Sequence, residues 1–504
     1  METPLKSRYL IKLLSTIISG LISAITIAIV PQALGAVNYG KFVYLQDFFI
    51  KAVGFLDMGA SIAFFTKLSA NNNRKELILF YFSYFGFIFI LLLLFIYILD
   101  MLDYISILIP NISTKYIYFG LFFATLTWVS QIFIKISDAF ALTISVEIIK
   151  ILHKIASLGL LLYFIYLIGL NLDNYFYFHY ISLTSFLIIL FWLFWKKNIF
   201  KNLKFSILHS KFSSILKEFI DYCHPLVLYS IVLALVGIFD IWLLQSVAGS
   251  REMGFYGVAY SLSAMAFLFS SAMTPIITRE YSKFYGKGDI ESIRKLFLKY
   301  IPMLYSISAF FSIFISINSK EVLDIFISSK EFEGADLTLA IMLLYPIHQT
   351  YGQLSGGLFY AIGETRLLRN ISLATAPFSV FVSLVLIYFL DLGSIGLALK
   401  MVIVQFIGVN IQLYFNTKFL DLDFKYFLKH QLYSFLFFIS IALIIRGLVE
   451  LSSPLLTLIL SATIYALWVI IFGYISPQIF ATSREEIKTI FLRLKNAIKR
   501  KTKK

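Results

Sequence analysis

The chain has 504 residues, of which 60% are hydrophobic and only 14% are charged, and its formal net charge is +15. A soluble domain usually carries roughly 25% charged and 45–50% apolar residues, so this composition excludes an ordinary soluble protein. The single cysteine, Cys223, excludes a disulfide framework and a thiolate metal site. These properties indicate an all-α integral membrane protein.

Apolar runs long enough to cross about 30 Å of hydrocarbon recur along the whole chain. The run 77–99, for example, contains no charged residue. The first run has the length of a retained span and no small-residue cleavage site after it, so we expect no cleaved signal peptide. We predict about fourteen transmembrane helices, near 13–33, 43–65, 77–99, 115–137, 151–170, 176–195, 225–247, 255–278, 297–317, 338–361, 370–390, 394–416, 430–449 and 454–476.

Lysine and arginine are concentrated in every second connection between these spans. By the positive-inside rule, these connections and both termini face the cytoplasm, which also requires an even number of spans. The opposite connections contain only Lys41, Lys115, Arg251, Lys320 and Lys330. The basic set consists of Lys6, Arg8, Lys67, Arg74, Lys75, Lys196, Lys197, Lys201, Lys204, Lys211, Lys217, Arg279, Lys283, Lys287, Arg294, Lys295, Arg366, Arg369, Lys418, Lys425, Lys429 and the basic residues of 484–504.

For two of the basic segments, the sequence also predicts what they contact. The mid-chain connection 196–224 predicts an amphipathic surface helix, because Phe212, Ile215, Leu216 and Ile220 fall on one side of it. The tail 484–504 is expected to lie against anionic membrane lipids rather than to bind nucleic acid. We therefore predict membrane lipids, and no nucleic acid, as partners of these segments.

An internal repeat relates the two halves of the chain. The first half reads LGAVNYGKFVYLQ at 34–46, and the second reads AGSREMGFYGVAYSLS at 248–263. Each copy predicts a short outer turn ending in a Tyr-Gly pair, at Tyr39 and Tyr256, followed by a span and a basic inner turn at Lys67 or Lys283. Repeated halves with a substrate site between them are the common plan of secondary transporters.

At these residues the chain resembles the Wzx-type polysaccharide biosynthesis flippases of the multidrug/oligosaccharidyl-lipid/polysaccharide exporter superfamily. The length, the number of spans and the basic mid-chain connection also fit, so the resemblance covers essentially the whole chain. The matching residues are Leu34-Gly35, Tyr39-Gly40, Gln46, Asp57-x-Gly59, Asp240, Gly254-x-Tyr256-Gly257, Ala259-Tyr260 and Pro275.

The resemblance implies two six-helix bundles around a central cavity, followed by two further helices. The implied domains are an N-terminal bundle (1–197), a cytoplasmic amphipathic linker (198–224), a C-terminal bundle (225–418), two additional transmembrane helices (419–480) and a basic cytoplasmic tail (481–504). It also implies that the protein flips polyprenyl-diphosphate-linked oligosaccharides across a bacterial inner membrane by alternating access, for O-antigen or another surface polysaccharide. Expected partners are the lipid-linked substrate, H⁺ or Na⁺ as coupling ion, and polysaccharide polymerase machinery.

Other functions remain open at this point. A multidrug or cation exporter of the same superfamily usually has twelve spans, and a lipid II flippase has a strongly basic cavity that is not obvious here. A glycan polymerase or glycosyltransferase needs sizeable outer loops, and those predicted here are short, so we predict that the protein is not an enzyme. The sequence contains no P-loop and no HExxH or Cys/His cluster, so we expect neither ATP hydrolysis by that route, nor a metal, nor a cofactor.

Charged residues within spans are costly, so each is a candidate functional residue. Lys51 and Lys400 can offset the charge of a diphosphate in the cavity; alternatively, Lys51 pairs with Asp47 one turn away, and Lys400 extends to the outer surface. Asp57 and Asp240 are candidates for a coupling-ion or proton site. Their alternatives are a helix-packing hydrogen bond for Asp57 and a pairing with a lysine for Asp240.

Two polar faces complete the candidate site. Gln349, Gln353 and Gly356 follow one another at helical spacing in the tenth span, where they either line the cavity or pack on a neighbouring helix. The corresponding face of the first span carries Ser15, Ser19 and Ser23, and for it we favour close helix packing.

Overall fold

A computed structural model describes the backbone of residues 5–201 and 205–486, and it describes side chains in these ranges except at 5–13, 16, 205–211, 225–226, 229, 268–269 and 272. The side chains of Lys6, Arg8, Lys204 and Lys211, and the tail beyond residue 486, lie outside the described residues. Every regular element within the described ranges is helical, so the predicted all-α class is confirmed.

Packing divides the described chain into two compact units. The first unit takes the chain up to Gly257 together with Ala376–Leu397, and the second takes Val258–Thr375 together with the chain from Ala398 onward. The domain boundaries implied by the family resemblance stay a prediction. The helices before the first division are α1 (Leu5–Asp57), α2 (Ala60–Ala70), α3 (Glu76–Met101), α4 (Ile105–Leu108), α5 (Thr114–Ala139), α6 (Thr143–Tyr163), α7 (Leu172–Lys196) and α8 (Phe205–Val247), and α9 (Gly249–Ser263) crosses it.

The remaining helices run from the second unit through the returning segment of the first unit to the end of the described chain. These remaining helices are α10 (Phe267–Tyr285), α11 (Ile290–Ile317), α12 (Ser319–Phe326), α13 (Ala335–Met342), α14 (Tyr345–Ile362), α15 (Thr365–Ser383), α16 (Gly393–Phe419), α17 (Phe424–Leu448) and α18 (Pro454–Ile475). One helix of each group, α6 and α15, continues into a π-helical turn, at Phe164–Ile168 and Leu384–Phe389.

Eleven helices in the described ranges are long and apolar enough to cross a membrane. They account for twelve predicted spans, because Ile17–Asp57 contains the first span and most of the second. The other two predicted spans, the eighth and the tenth, correspond to pairs of shorter helices, α9 with α10 and α13 with α14. The protein is therefore a multi-pass membrane protein, and about fourteen helices remain consistent with its architecture.

The repeated Tyr-Gly segments form a close helix contact within the first unit. Each predicted outer turn is a break at a glycine of positive φ, Gly35 inside α1 and Gly249 at the start of α9. Beyond these breaks, a Cβ atom on Gly40 would collide with the carbonyl oxygen of Ser250, and one on Gly254 would collide with that of Ala36. The glycines that carry the family resemblance therefore let the backbones of α1 and α9 touch.

The predicted mid-chain surface helix and the seventh span form one continuous helix, α8, which packs on α1, α2 and α3. Its predicted apolar face is divided: Ile215 is buried together with Phe219, whereas Leu216 and Ile220 are exposed. The Phe219 ring lies 4.8 Å from that of Phe80 on α3. This part of the helix therefore rests on the first unit through one strip of its surface.

Charged contacts hold the same part of α8 to the connection after α2. Glu218 accepts hydrogen bonds from Lys67 (2.7 Å) and from both terminal nitrogens of Arg74 (2.8 and 3.0 Å). The hydrogen bond from Arg74, aided by Lys67, lowers the pKa of Glu218 to about 2. This connection therefore has a fixed ionic anchor on the mid-chain helix.

The core of the second unit is built from α10, α11, α14, α16, α17 and α18. The Tyr465 ring of α18 stacks on Phe310 of α11 at 5.1 Å, and its hydroxyl donates to the Phe310 carbonyl oxygen at 3.1 Å. At the far end of α17, Arg446 pairs with Glu321 of α12. The last two helices are therefore an integral part of this unit.

Candidate functional site

The first predicted cation, Lys51, forms the alternative ion pair. Its Nζ lies 2.6 Å from Oδ2 of Asp47, one helical turn earlier on α1. The side chain also lies against Gly237 of α8, where a Cβ atom would come within 3.1 Å of the Lys51 Cε. The charge of Lys51 is thus already balanced within the first unit, and a role in binding a diphosphate stays a prediction.

Asp57 has structural partners at the break between α1 and α2. It is 8% exposed, accepts a 2.6 Å hydrogen bond from the Tyr81 hydroxyl, and accepts a second from the backbone N–H of Ser61 at 3.1 Å. The second bond caps the start of α2, where Gly59 adopts a positive φ. Asp57 therefore makes the helix-packing bond considered above, and its role as a coupling-ion site stays a prediction.

Asp240 is also buried and hydrogen-bonded. It lies on α8 and accepts a 2.7 Å hydrogen bond from the Ser383 hydroxyl at the end of α15, within the first unit. The role of Asp240 as a proton or coupling-ion site stays a prediction.

In the second unit, the predicted glutamine face packs on a neighbouring helix. Gln349 accepts a hydrogen bond from Gln405 of α16, and a Cβ atom on Gly352 would approach the same amide nitrogen to 2.9 Å. Gln353 differs, because its buried Oε1 has no hydrogen-bond partner among the described residues. Lys400 is 4% exposed, which argues against its extension to the outer surface. Cavity lining by these residues stays a prediction.

A charged cluster that the sequence analysis did not single out lies between α1 and α6. The Ser15 hydroxyl donates to the buried carboxylate of Glu147 at 2.6 Å, and Lys150 pairs with the same carboxylate at 3.0 Å. One turn farther along α6, Lys154 donates to the Ser19 carbonyl oxygen and to the hydroxyl of Ser23, both at 2.9 Å.

Within this cluster, Lys154 has no carboxylate partner among the described residues. It lies eleven residues after Thr143, where α6 begins, which corresponds to about 17 Å along the helix axis. Lys154 therefore lies near the middle of the apolar helix Thr143–Ile168. The predicted close packing of the first-span serines is thus present, but it also holds a cation near the middle of this apolar helix.

A pattern in the sequence could have revealed this cluster. Glu147, Lys150 and Lys154 occur at spacings of three and four, so they share one helix face, as do the serines of the first span. The face of α6 that contacts α7 is polar as well: His153 Nε2 lies 3.0 Å from the Ser185 hydroxyl, beside a mostly apolar cavity of about 410 Å³. Among the described residues, no group of three or more His, Cys, Asp or Glu side chains is arranged to hold a metal ion.

Parts of the chain are similar in sequence to known proteins. The MatE family model matches residues 225–386. A probable low-salt glycan biosynthesis flippase, Agl15 of Haloferax volcanii, is 24% identical over 204 residues, a match that spans 39% of this chain and 42% of that relative.

Two solved structures share the fold over most of their length. The lipid II flippase MurJ in an inward closed conformation has a TM-score of 0.70 at 16% identity, covering 92% of this chain and 98% of that one. An inward-facing multidrug resistance MATE family transporter of the MOP superfamily has a TM-score of 0.58 at 17% identity, covering 81% and 94% of the two chains. The chain therefore shares the fold of these transporters, and its resemblance to the flippases of the multidrug/oligosaccharidyl-lipid/polysaccharide exporter superfamily is confirmed as a resemblance.

Proposed function

We propose that this protein flips polyprenyl-diphosphate-linked oligosaccharides from the inner to the outer leaflet of a bacterial cytoplasmic membrane. The partial match to a glycan biosynthesis flippase supports a lipid-linked glycan as the cargo. The shared fold with a lipid II flippase supports the same class of transport. The surface polysaccharide assembled from this cargo is O-antigen or a related polymer, and a polymerase acts on the delivered units.

The observation that carries the proposal is the position of Lys154. A lysine in the middle of the apolar helix Thr143–Ile168, held by a carbonyl and a hydroxyl oxygen rather than by a carboxylate, keeps its positive charge available to an anion. A diphosphate entering the low-dielectric interior needs such a cation to offset its desolvation. Ser15, Ser19 and Ser23 support α6 at this point and hold the lysine in place.

Coupling to an ion gradient is part of the proposal. Asp57 and Asp240 are buried carboxylates with hydroxyl partners, and either one can take up a proton or ligate Na⁺ during the transport cycle. Both termini face the cytoplasm in this arrangement, in accordance with the distribution of lysine and arginine along the chain.

The test uses purified protein in proteoliposomes with a lipid-linked oligosaccharide, and measures how fast the glycan becomes accessible to an added, membrane-impermeant glycosidase. We expect the wild type to raise this rate, Lys154→Gln to lower it about tenfold, and Lys154→Arg to retain most of it, because one charged hydrogen bond contributes about 1.5–3 kcal/mol. Lys196→Gln, at the exposed end of α7, is the matched control and should transport normally.

Two outcomes would contradict different parts of the proposal. If the wild type does not accelerate glycan exposure, the function is wrong. If the wild type flips the substrate and Lys154→Gln flips it at the same rate, the function stands and Lys154 is not part of the path.

A second candidate function is export of a drug or another organic cation. The MatE match at 225–386 and the fold shared with a multidrug transporter favour it. An exporter of this kind would protect cells from ethidium and would extrude the dye from preloaded cells. The flippase proposal predicts that expression changes neither the ethidium tolerance nor the dye efflux of the host.

A further inference from the structure

A cavity of about 970 Å³ opens within the second unit, at the end where α11 and α17 begin and the chain leaves α18. Neither the proposed transport path nor the candidate residues above include it. Its lining includes the charged or polar side chains of Lys295, Lys299, Lys429, His430, Thr482 and Glu486.

The charge of this lining is positive. Lys299 pairs with Glu486 at 2.5 Å, and Lys295 lies 4.0 Å from Glu291, which is outside the lining. Lys429 has no carboxylate partner among the described residues. Three lysines thus face the cavity with one carboxylate, so an anionic ligand complements it.

A buried histidine adds a second, independent feature. His430 is 7% exposed, and its Nε2 lies 2.9 Å from the Ile479 carbonyl oxygen, which can only accept a hydrogen bond. Nε2 therefore carries the proton, and Nδ1 is an acceptor that has no partner among the described residues. A ligand that combines an anion with a hydroxyl group would satisfy both the lysines and this nitrogen.

The position of the cavity narrows the ligand to a lipid. It lies at the end of the helices where the basic connections occur, which is the side expected to face the anionic cytoplasmic leaflet. Tyr426 and Tyr433 line it as well, and tyrosines are typical of the headgroup level of a membrane. The chain after Glu486 does not complement the cavity, because it contains eight basic residues and no acidic one.

We propose that this cavity binds the headgroup of an anionic glycerophospholipid, with its phosphate between Lys295, Lys299 and Lys429 and a headgroup hydroxyl donating to Nδ1 of His430. The bound lipid joins α11, α17 and the segment after α18 at the inner leaflet. The phosphate accepts hydrogen bonds from the lysines, and the hydroxyl explains why a buried imidazole lies beside them.

The test titrates the full-length protein in neutral detergent with short-chain phosphatidylglycerol and measures bound lipid by native mass spectrometry. We expect Lys429→Gln to weaken binding about fivefold, from about 1 kcal/mol per lysine near a lipid surface. Lys425→Gln is the matched control, since it removes the same charge one turn earlier on α17 but does not line the cavity. It should change the affinity less than twofold.

Two lipid probes separate the features of the site. Phosphatidylmethanol has the same charge but no headgroup hydroxyl, so it should bind several-fold more weakly than phosphatidylglycerol, and zwitterionic phosphatidylcholine should bind least. Equal losses in Lys429→Gln and Lys425→Gln, or equal binding of all three lipids, would overturn the proposal. It would also be overturned if inorganic phosphate bound as tightly as the lipid, or if a polyprenyl diphosphate bound tenfold more tightly, which would make the cavity part of the cargo path.

Discussion

In the first unit, charged side chains join α1 to α6 along their length, whereas in the second unit neutral amides join α16 to α14 and to α17, and the charged pair of Arg446 with Glu321 lies at a helix end. Glu147 with Ser15 and Lys154 with Ser23 connect α6 to α1 in the first unit. In the second unit, Gln349 pairs with Gln405, and Gln431 donates to Asn410 at 2.8 Å.

The difference indicates how each unit uses its polar groups. Neutral amide pairs hold helices together at little desolvation cost, because neither partner carries a full charge. Charges in a span cost more than they return in stability unless they act on a ligand or an ion. We therefore expect the first unit to contribute most of the cargo's charge recognition, and Lys400 is the buried lysine of the second unit that would extend this role.

The largest effect on stability is expected where the first unit depends on backbone contact. Gly254→Ala places a methyl group against the Ala36 carbonyl oxygen, which cannot move without its helix, so we expect a loss of about 3 kcal/mol in the free energy of unfolding. Gly357→Ala in the second unit meets the Thr278 hydroxyl, which can rotate away, and should cost about 1 kcal/mol.

Thermal unfolding in detergent measures both variants. Gly54→Ala and Gly356→Ala are their controls, because a Cβ atom at either position has no neighbour within 4 Å. If Gly254→Ala were as stable as Gly54→Ala, the close contact between α1 and α9 would not be important for the first unit.

An intermediate effect is expected from removing one charge of the α1–α6 cluster. Glu147→Gln leaves Lys150 without its partner, and because Lys150 is 34% exposed and partly screened, we expect a loss of about 1.5 kcal/mol. Adding Lys150→Gln should restore most of this stability. The free energies of unfolding of the single and double variants, measured in detergent, test this prediction.

The neutral pair of Gln349 and Gln405 in the second unit provides the comparison with this charged cluster. Gln349→Leu combined with Gln405→Leu removes both partners of one hydrogen bond, which should change the stability by less than about 1 kcal/mol. Equal costs for Glu147→Gln and for this double variant would remove the distinction between the units.

The smallest expected effect on stability is the pH dependence of the ion pairs that Glu218 of α8 forms with Lys67 and Arg74. The pKa of Glu218 is lowered to about 2 by Arg74, so its contribution to stability is present above the ordinary carboxylate pKa of about 4.5 and is lost as the pH falls toward 2. Because Glu218 is partly exposed, we expect this contribution to be about 1 kcal/mol or less.

The measurement compares the melting temperatures of the wild type and Glu218→Gln at pH 7 and at pH 3. The wild type should be slightly more stable at pH 7, and the difference should shrink at pH 3. A difference that grows as the pH falls would contradict the assigned ion pairs.

The sequence alone determined the class of this protein and the positions of its spans. Long apolar runs have few alternatives to a membrane helix, because lipid offers no partner for an unpaired backbone group. It also located the repeated Tyr-Gly segments, although not the reason for them: Gly40 and Gly254 are needed because two helix backbones touch, and this contact exists only after folding.

Only the tertiary structure decided which polar groups meet. Asp47 and Lys51 are neighbours on one helix, so periodicity predicted their pairing, whereas the contacts of Ser15 with Glu147 and of Ser23 with Lys154 join residues more than one hundred positions apart. The same holds for the lysine-lined cavity, whose walls come from three separate helix ends. Hydropathy indicates that a residue lies within a span, but the side chain that balances its charge depends on how the helices pack.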